Sequence, residues 1–376
     1  MTRITYRIAA IAVAVFVAVV VAGFAGLPFA TPAYAADAAR SLPVFEVDPA
    51  WPKIPPKWKL GDPSSIAFDA QDNVWVLHRP RTLKGADLAM AAPPVIVFSG
   101  TGDFVKAWGG DGAGYDWPQR EHGIHIDYKG YVWLGGNNCP ESGHALLKQV
   151  ADDALLKFTQ DGKFILQIGK SNQSKGDNDT ANVHRAADVR VDPKTDELYV
   201  ADGYGNHRVI VFDANTGAFK RMWGAFGKPP GGVDNCDIAR VEKFPPGDGL
   251  PDYNVVHAIR VAKDGLVYVA DRENRRVQVF TADGKYIRQL ARTTTAFARN
   301  LAFSPDPEQQ FLYVGAGKDI AIVERKTMEV VGSIAPKGMI GPGHHIEVDS
   351  KGNLYIAQTG TGMQKLVFKG MAPAAR

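Results

Sequence analysis

Residues 258–280 read AIRVAKDGLVYVADRENRRVQVF, and residues 188–212 read DVRVDPKTDELYVADGYGNHRVIVF. In each, alternating apolar residues run into a turn rich in Gly, Asp or Lys. A second apolar run with an aromatic residue follows, then a third ending in Phe. Alternation with a period of two is what a strand with one buried face requires, and the turn residues bound each run. Outward from these two stretches the same unit recurs as SIAFDAQDNVWVLHR (65–79), GIHIDYKGYVWLGG (123–136), LAFSPDPEQQFLYVGAGKDIAIV (301–323) and HIEVDSKGNLYIAQTGTGMQKLVF (345–368). Six units of three or four strands, about forty residues apart where no insert intervenes, predict an all-β fold, a six-bladed β-propeller.

The sixth unit stops after its third strand, at Leu366 to Phe368. An open strand there would present unpaired backbone groups. The N-terminal segment around Val44 to Val47 can supply the missing outer strand and close the ring, and a Pro-rich stretch then leads into the first blade. The expected organisation is a signal peptide over 1–35, a closing strand and lead-in over 36–62, the propeller over 63–370, and a tail over 371–376.

The signal-peptide expectation rests on a basic start with Arg3 and Arg7, an apolar run from Ile8 to Ala22, and the small residues of Ala33-Tyr34-Ala35. It predicts an exported protein, periplasmic or secreted, with no stable membrane anchor. The chain has 376 residues, 45% of them hydrophobic and 22% charged, which excludes a disordered polymer. Its net charge of +3, two units of which lie in the leader, gives no reason to expect nucleic acid as a partner. A monomer acting on a small molecule or peptide is expected. The two cysteines, Cys139 and Cys236, lie in Gly/Pro/Asn-rich inserts. In an oxidising compartment they could pair, or remain as two separate thiols.

The residues that carry chemistry occupy one position of the repeat. Eight residues before the turn glycines Gly130, Gly265 and Gly352 stand His122, His257 and His344, in units two, four and six. Units one, three and five carry Ser64, Ala187 and Arg299 there. Alternate blades of a six-bladed ring stand about 120° apart, so three imidazoles would converge at one mouth of the central channel. Three histidines with open coordination positions suit a catalytic zinc. His125 should point away from this ring by strand alternation, and His78, His144, His184 and His207 read as surface or loop residues. A second ring, after the second strand of its units, holds Arg79, Tyr204 and Arg272. Positive charge around Tyr204 favours its ionised form and makes it a candidate general base, with Arg79 and Arg272 available to a carboxylate or oxyanion.

Over most of 61–368 the chain resembles the NHL-type six-bladed propellers, and among them the peptidyl-α-hydroxyglycine α-amidating lyases (peptidylamidoglycolate lyases). The segments that carry the resemblance are HGIHID at His122, VVHAIRV at His257, GHHIEVD at His344, LHRP at Arg79, VADGYGNHR at Tyr204 and VADRENRR at Arg272. The resemblance implies zinc on the three histidines, catalysis by Tyr204 with Arg79 and Arg272, and cleavage of the C–N bond of a peptidyl-α-hydroxyglycine or related α-hydroxy-amide to an amide and glyoxylate. It also implies a structural calcium on the carbonyls of Ile66 and Ile124, although His345 stands where the family has an acidic ligand. The family's cysteine pairs are absent, with His184 and Gly205 at the places of one pair. Two other readings remain: a non-catalytic NHL propeller binding protein of the cell envelope, and a calcium-dependent lactone hydrolase, whose acidic ligands this ring lacks.

Overall fold

The structure, a computed structural model, describes residues 41–141, 144–232, 236, 249–290 and 298–374. The expected signal peptide lies outside the described residues. Six four-stranded antiparallel sheets follow one another along the chain. Blade 1 spans residues 62–108, blade 2 residues 121–169, blade 3 residues 188–223, blade 4 residues 256–290, and blade 5 residues 301–334. Blade 6 takes three strands from residues 345–373 and its outer strand from Ser41–Asp48.

That N-terminal strand pairs antiparallel with Gly362–Pro373, Phe45 opposite Phe368 and Ser41 opposite Pro373. Closure is as expected, but its strand is longer than Val44–Val47 and draws residues 371–373 out of the expected tail. Phe45 is buried in the core between blades 5 and 6, so closing the ring also buries apolar surface.

Six apolar clusters fill the six interfaces between neighbouring blades. Both faces of a middle strand are therefore covered, which is why Val74–Arg79 and Glu197–Asp202 are buried at every residue. Polar residues in these strands are paired. Asp69 Oδ2 accepts from Trp75 Nε1 at 2.9 Å and Asp127 Oδ2 from Trp133 Nε1 at 3.0 Å, so each turn aspartate fixes the aromatic of its own second strand. In blades 3 and 4 the D-x-x-x-N-x-R and D-x-x-N-x-R patterns become closed networks. Asp202 Oδ2 accepts from Asn206 and Arg208, and Asp271 Oδ2 from Asn274 and Arg276. Such buried ions are tolerable because every charge meets its counter-charge and further hydrogen bonds. The only helical elements among the described residues are three short 3-10 turns.

Candidate metal centre

The inner strands of blades 2 and 4 do not pair regularly where the ring begins. In blade 2 the register shifts between Glu121 and Ile124, and in blade 4 between Val256 and Ala258. His122 and His257 sit in these irregularities. A bulge turns one side chain away from the regular alternation, and here it aims the imidazoles into the channel. Blade 1 has the same shift at Ser64, between Pro63 and Ser65. Gly123 allows the close approach this needs, since a Cβ there would stand 2.5 Å from the carbonyl oxygen of Ala187.

His122, His257 and His344 converge as the spacing predicts. Their ring centroids are 5.0, 4.6 and 4.9 Å apart, and one nitrogen from each lies within 4.8 Å of the other two. The three remaining ring positions supply the partners of their other nitrogens. His344 Nδ1 lies 2.8 Å from the carbonyl oxygen of Ser64, His122 Nδ1 2.8 Å from that of Ala187, and His257 Nδ1 2.6 Å from that of Arg299. A carbonyl only accepts, so each Nδ1 carries the proton and each Nε2 is left as a lone pair facing the axis. This outer hydrogen bond is the usual support of a metal-bound imidazole.

Burial, followed by neighbouring positive charge, pushes all three imidazoles well below their ordinary range; Arg79 acts on His122 and His344, and Arg272 on His257. Three neutral nitrogens therefore face one point. Nitrogens on a tetrahedral zinc stand roughly 3.4 Å apart at a bond length of about 2.1 Å, a contraction that small side-chain rotations supply. The donor set fits zinc.

Tyr204 reaches this point from blade 3. Its hydroxyl lies 3.0 Å from His122 Nε2, 3.2 Å from His257 Nε2 and 2.9 Å from Arg272 Nη1. The Arg272 guanidinium also covers the Tyr204 ring at 5.2 Å and is held through Nε by Glu273 at 2.8 Å. Arg79 is fixed by a 2.7 Å hydrogen bond from Nε to the carbonyl of Glu121. Burial and then Arg120 push Arg79 down to about 10, which leaves it cationic at neutral pH. Backbone bonds from Arg272 to Val255 and from Glu273 to Asn254 tie this arm to the strand carrying His257. Val255 itself holds φ at 66°, rare for a β-branched residue and sustained here by those contacts.

Three neighbours of the site were not singled out by the sequence. Arg299, at the ring position of blade 5, is electrostatically coupled to Arg272 and Tyr204; its repeat position was the available signal. Glu273 braces Arg272, and Glu121, beside His122, accepts from Trp117 Nε1 and Arg81 Nη1, with burial raising its carboxyl to about 7. Nothing in the sequence distinguishes these two acids from surface acids.

Other expectations need correction or refinement. His125 does leave the ring, and stands in the field of Arg190, Asp188, Arg260 and His345. His78 is fully buried, not a surface residue: its Nδ1 accepts from the Gly61 amide at 3.2 Å and its Nε2 lies 2.9 Å from the Pro93 carbonyl, because residues 80–94 fold over it. His184 and His207 are mostly shielded, against Asp153 and Asp177, while His144 is exposed. The carbonyls of Ile66 and Ile124 belong to the next tier of the channel. There His345 Nδ1 accepts from the Ile66 amide at 3.3 Å, and Arg260 Nη2 lies 3.3 Å from His345 Nε2. Calcium takes six to eight oxygens, and this mixture of imidazole and guanidinium does not fit it. Cys139 and Cys236 are joined in a disulfide, which settles the open pairing.

NHL repeats match this chain at residues 184–212 and 254–280. Peptidyl-glycine alpha-amidating monooxygenase B of Xenopus laevis is 26% identical over 262 residues, covering 65% of this chain and 26% of that protein. The chain thus spans about a quarter of the length of that relative. NHL repeat-containing protein 3 of Mus musculus is 25% identical over 342 residues, covering 85% of this chain and 82% of that protein. A probable peptidyl-alpha-hydroxyglycine alpha-amidating lyase of Caenorhabditis elegans, pgal-1, is 30% identical over 162 residues, covering 43% and 37%.

Proposed function

We propose that the chain is an exported zinc-dependent lyase that cleaves the C–N bond of a peptidyl-α-hydroxyglycine or a related α-hydroxy-amide, releasing an amide and glyoxylate. The observation that carries this reading is the Tyr204 hydroxyl, which accepts from Arg272 Nη1 and stands 3.0 and 3.2 Å from Nε2 of two ring histidines. Similarity to amidating proteins supports the substrate class, and the Cys139–Cys236 bridge supports export.

Nε2 of His122, His257 and His344 would hold the zinc, which when bound supplies Lewis-acid stabilisation to oxygen that gains negative charge. Tyr204 takes the proton from the substrate hydroxyl. The oxygen lone pair then forms the aldehyde C=O as the C–N bond breaks, and the bonding pair leaves on nitrogen. Returning the proton from Tyr204 to that nitrogen gives the neutral amide and balances the reaction. Arg272, held by Glu273, orients the phenol. Arg79, on the His122 and His344 side, offers a cation to the carboxylate that becomes glyoxylate.

The test is turnover of α-hydroxyhippurate, read as glyoxylate, with zinc measured on the same sample. The reading expects one zinc per chain, and Tyr204→Phe retaining zinc while turnover falls about 10²–10⁴-fold. Full activity in Tyr204→Phe would remove the base assignment. The similarity to NHL repeat-containing protein 3 over most of both chains favours a second reading, a recognition propeller, which predicts neither stoichiometric zinc nor turnover.

A further inference from the structure

The channel beneath the histidine ring has a periodicity of its own. One residue beyond the ring position stand Ser65, Gly123, Asp188, Ala258, Asn300 and His345; three residues beyond stand Ala67, His125, Arg190, Arg260, Ala302 and Glu347. Four of these form a closed ring of charges. Asp188 accepts from Arg190 Nη1 at 3.0 Å through Oδ1 and from Arg260 Nη1 at 2.7 Å through Oδ2. Glu347 Oε2 accepts from Arg190 Nη2 at 2.6 Å and Arg260 Nη2 at 3.2 Å. Side-chain exposure is 1% for Asp188, 4% for Arg260, 9% for Arg190 and 20% for Glu347, so solvent screens the Asp188 pairs little and the Glu347 pairs somewhat more.

The guanidiniums also bind backbone. Arg190 Nη1 donates to the Val189 carbonyl at 2.7 Å, Arg260 Nη1 to the Ile259 carbonyl at 2.8 Å, and Arg260 Nη2 to the Ile346 carbonyl at 3.2 Å. Val189, Ile259 and Ile346 occupy the same place in blades 3, 4 and 6 that Ile66 and Ile124 occupy in blades 1 and 2, two residues past the ring position. Carbonyls of this tier are the oxygens a cation in the channel would bind, and three of them already receive N–H groups from a fixed cation. The two carboxylates are matched by the two guanidiniums. A divalent ion would add two positive charges beside Arg260, where Asp188 and Glu347 already face guanidiniums, at a cost that burial makes large.

We propose that Arg190 and Arg260 are the built-in cations of this channel. They join blades 3, 4 and 6 through shared carboxylates and inner-strand carbonyls, and this tier takes no structural calcium. The inference is independent of whether the ring above is catalytic.

Equilibrium dialysis of the zinc-saturated full chain against radioactive calcium, together with thermal unfolding with and without calcium, tests it. Wild type should bind no stoichiometric calcium beyond the zinc and show the same Tm in both buffers. One calcium per chain with a Tm rise of several degrees would overturn the proposal. Arg260→Met should lower Tm by several degrees, because it strands Asp188 and Glu347 with one guanidinium, and Arg260→Lys should restore part of the loss. An Arg260→Met chain as stable as wild type would remove the structural role; should that chain not fold, the wild-type calcium measurements and Arg260→Lys decide.

Discussion

The Tyr204 hydroxyl lies 2.9 Å from Nη1 of Arg272, whose Nε is bound at 2.8 Å by Glu273. One guanidinium thus serves two partners with different nitrogens, an arrangement a lysine cannot copy with its single ammonium. Arg272→Lys keeps the charge and loses the fork. Turnover of α-hydroxyhippurate should fall roughly 10–100-fold through misplacement of the phenol, while zinc content stays at the wild-type level. Loss of zinc in this variant would mean that Arg272 holds the metal site together and does not orient the base.

The three ring histidines should behave as one unit, because each supplies one nitrogen to a single point. His122→Ala, His257→Ala and His344→Ala should each weaken zinc binding by more than the roughly 10–100-fold that loss of an outer hydrogen-bond partner costs. Their stabilities should suffer less, since each removes one interblade hydrogen bond and no interblade core. Competition against a chromophoric chelator reads the affinities. One variant with unchanged affinity would exclude that residue from the ligand set.

Much of this site was legible in the sequence because a propeller repeats its geometry. The offset of eight residues from the turn glycine placed His122, His257 and His344 at equivalent points, and closure of the ring turned equivalence into convergence. Roles played through backbone atoms were not legible: Ser64, Ala187 and Arg299 could be placed at the ring position, but they contribute carbonyls, which any residue type would provide. The pairing of Cys139 with Cys236 depends on how two inserts meet in space across a separation of 97 residues. His78 misled for a different reason. It stands next to last in a strand that runs into a loop, and only the fold of residues 80–94 over it makes it a core residue. The Asp188–Arg190–Arg260–Glu347 ring could have been found by extending the same alignment one and three residues further.

His78 gives the fold a specific weakness to acid. Burial holds its imidazole down at about 4, against 6.5 when unfolded, and its Nδ1 must stay unprotonated to accept the Gly61 amide. A folded-state value below the unfolded one means that the unfolded chain binds the extra proton first. The contribution is complete above pH 6.5 and is lost as pH falls toward 4, amounting to about 3 kcal/mol at most. His78→Leu should be less stable at pH 7, with Gly61 N–H and the Pro93 carbonyl left unpaired, yet lose up to that much less stability between pH 7 and pH 4. Denaturant unfolding across this range measures it, and an unchanged slope in the variant would assign the acid sensitivity elsewhere.

The disulfide joins the insert that leaves blade 2 at Asn137 to the segment that leads into His257. Asn137 and residues 254–255 lie at the ring end of the channel: Asn137 N donates to the Arg120 carbonyl, two residues from His122, and the carbonyls of residues 254–255 accept from the Glu273 and Arg272 amides. Cross-linking positions 97 residues apart removes loop-closure entropy from the unfolded chain, worth about 4–5 kcal/mol in the chain-entropy account. Cys139→Ser with Cys236→Ser should therefore lower Tm and the denaturant midpoint, with zinc content preserved because no ring histidine depends on the bridge for its hydrogen bond. Turnover should respond mainly through KM, as the link between residues 139 and 236 beside the ring end is lost. A double variant with wild-type Tm and KM would show that the propeller alone positions both inserts.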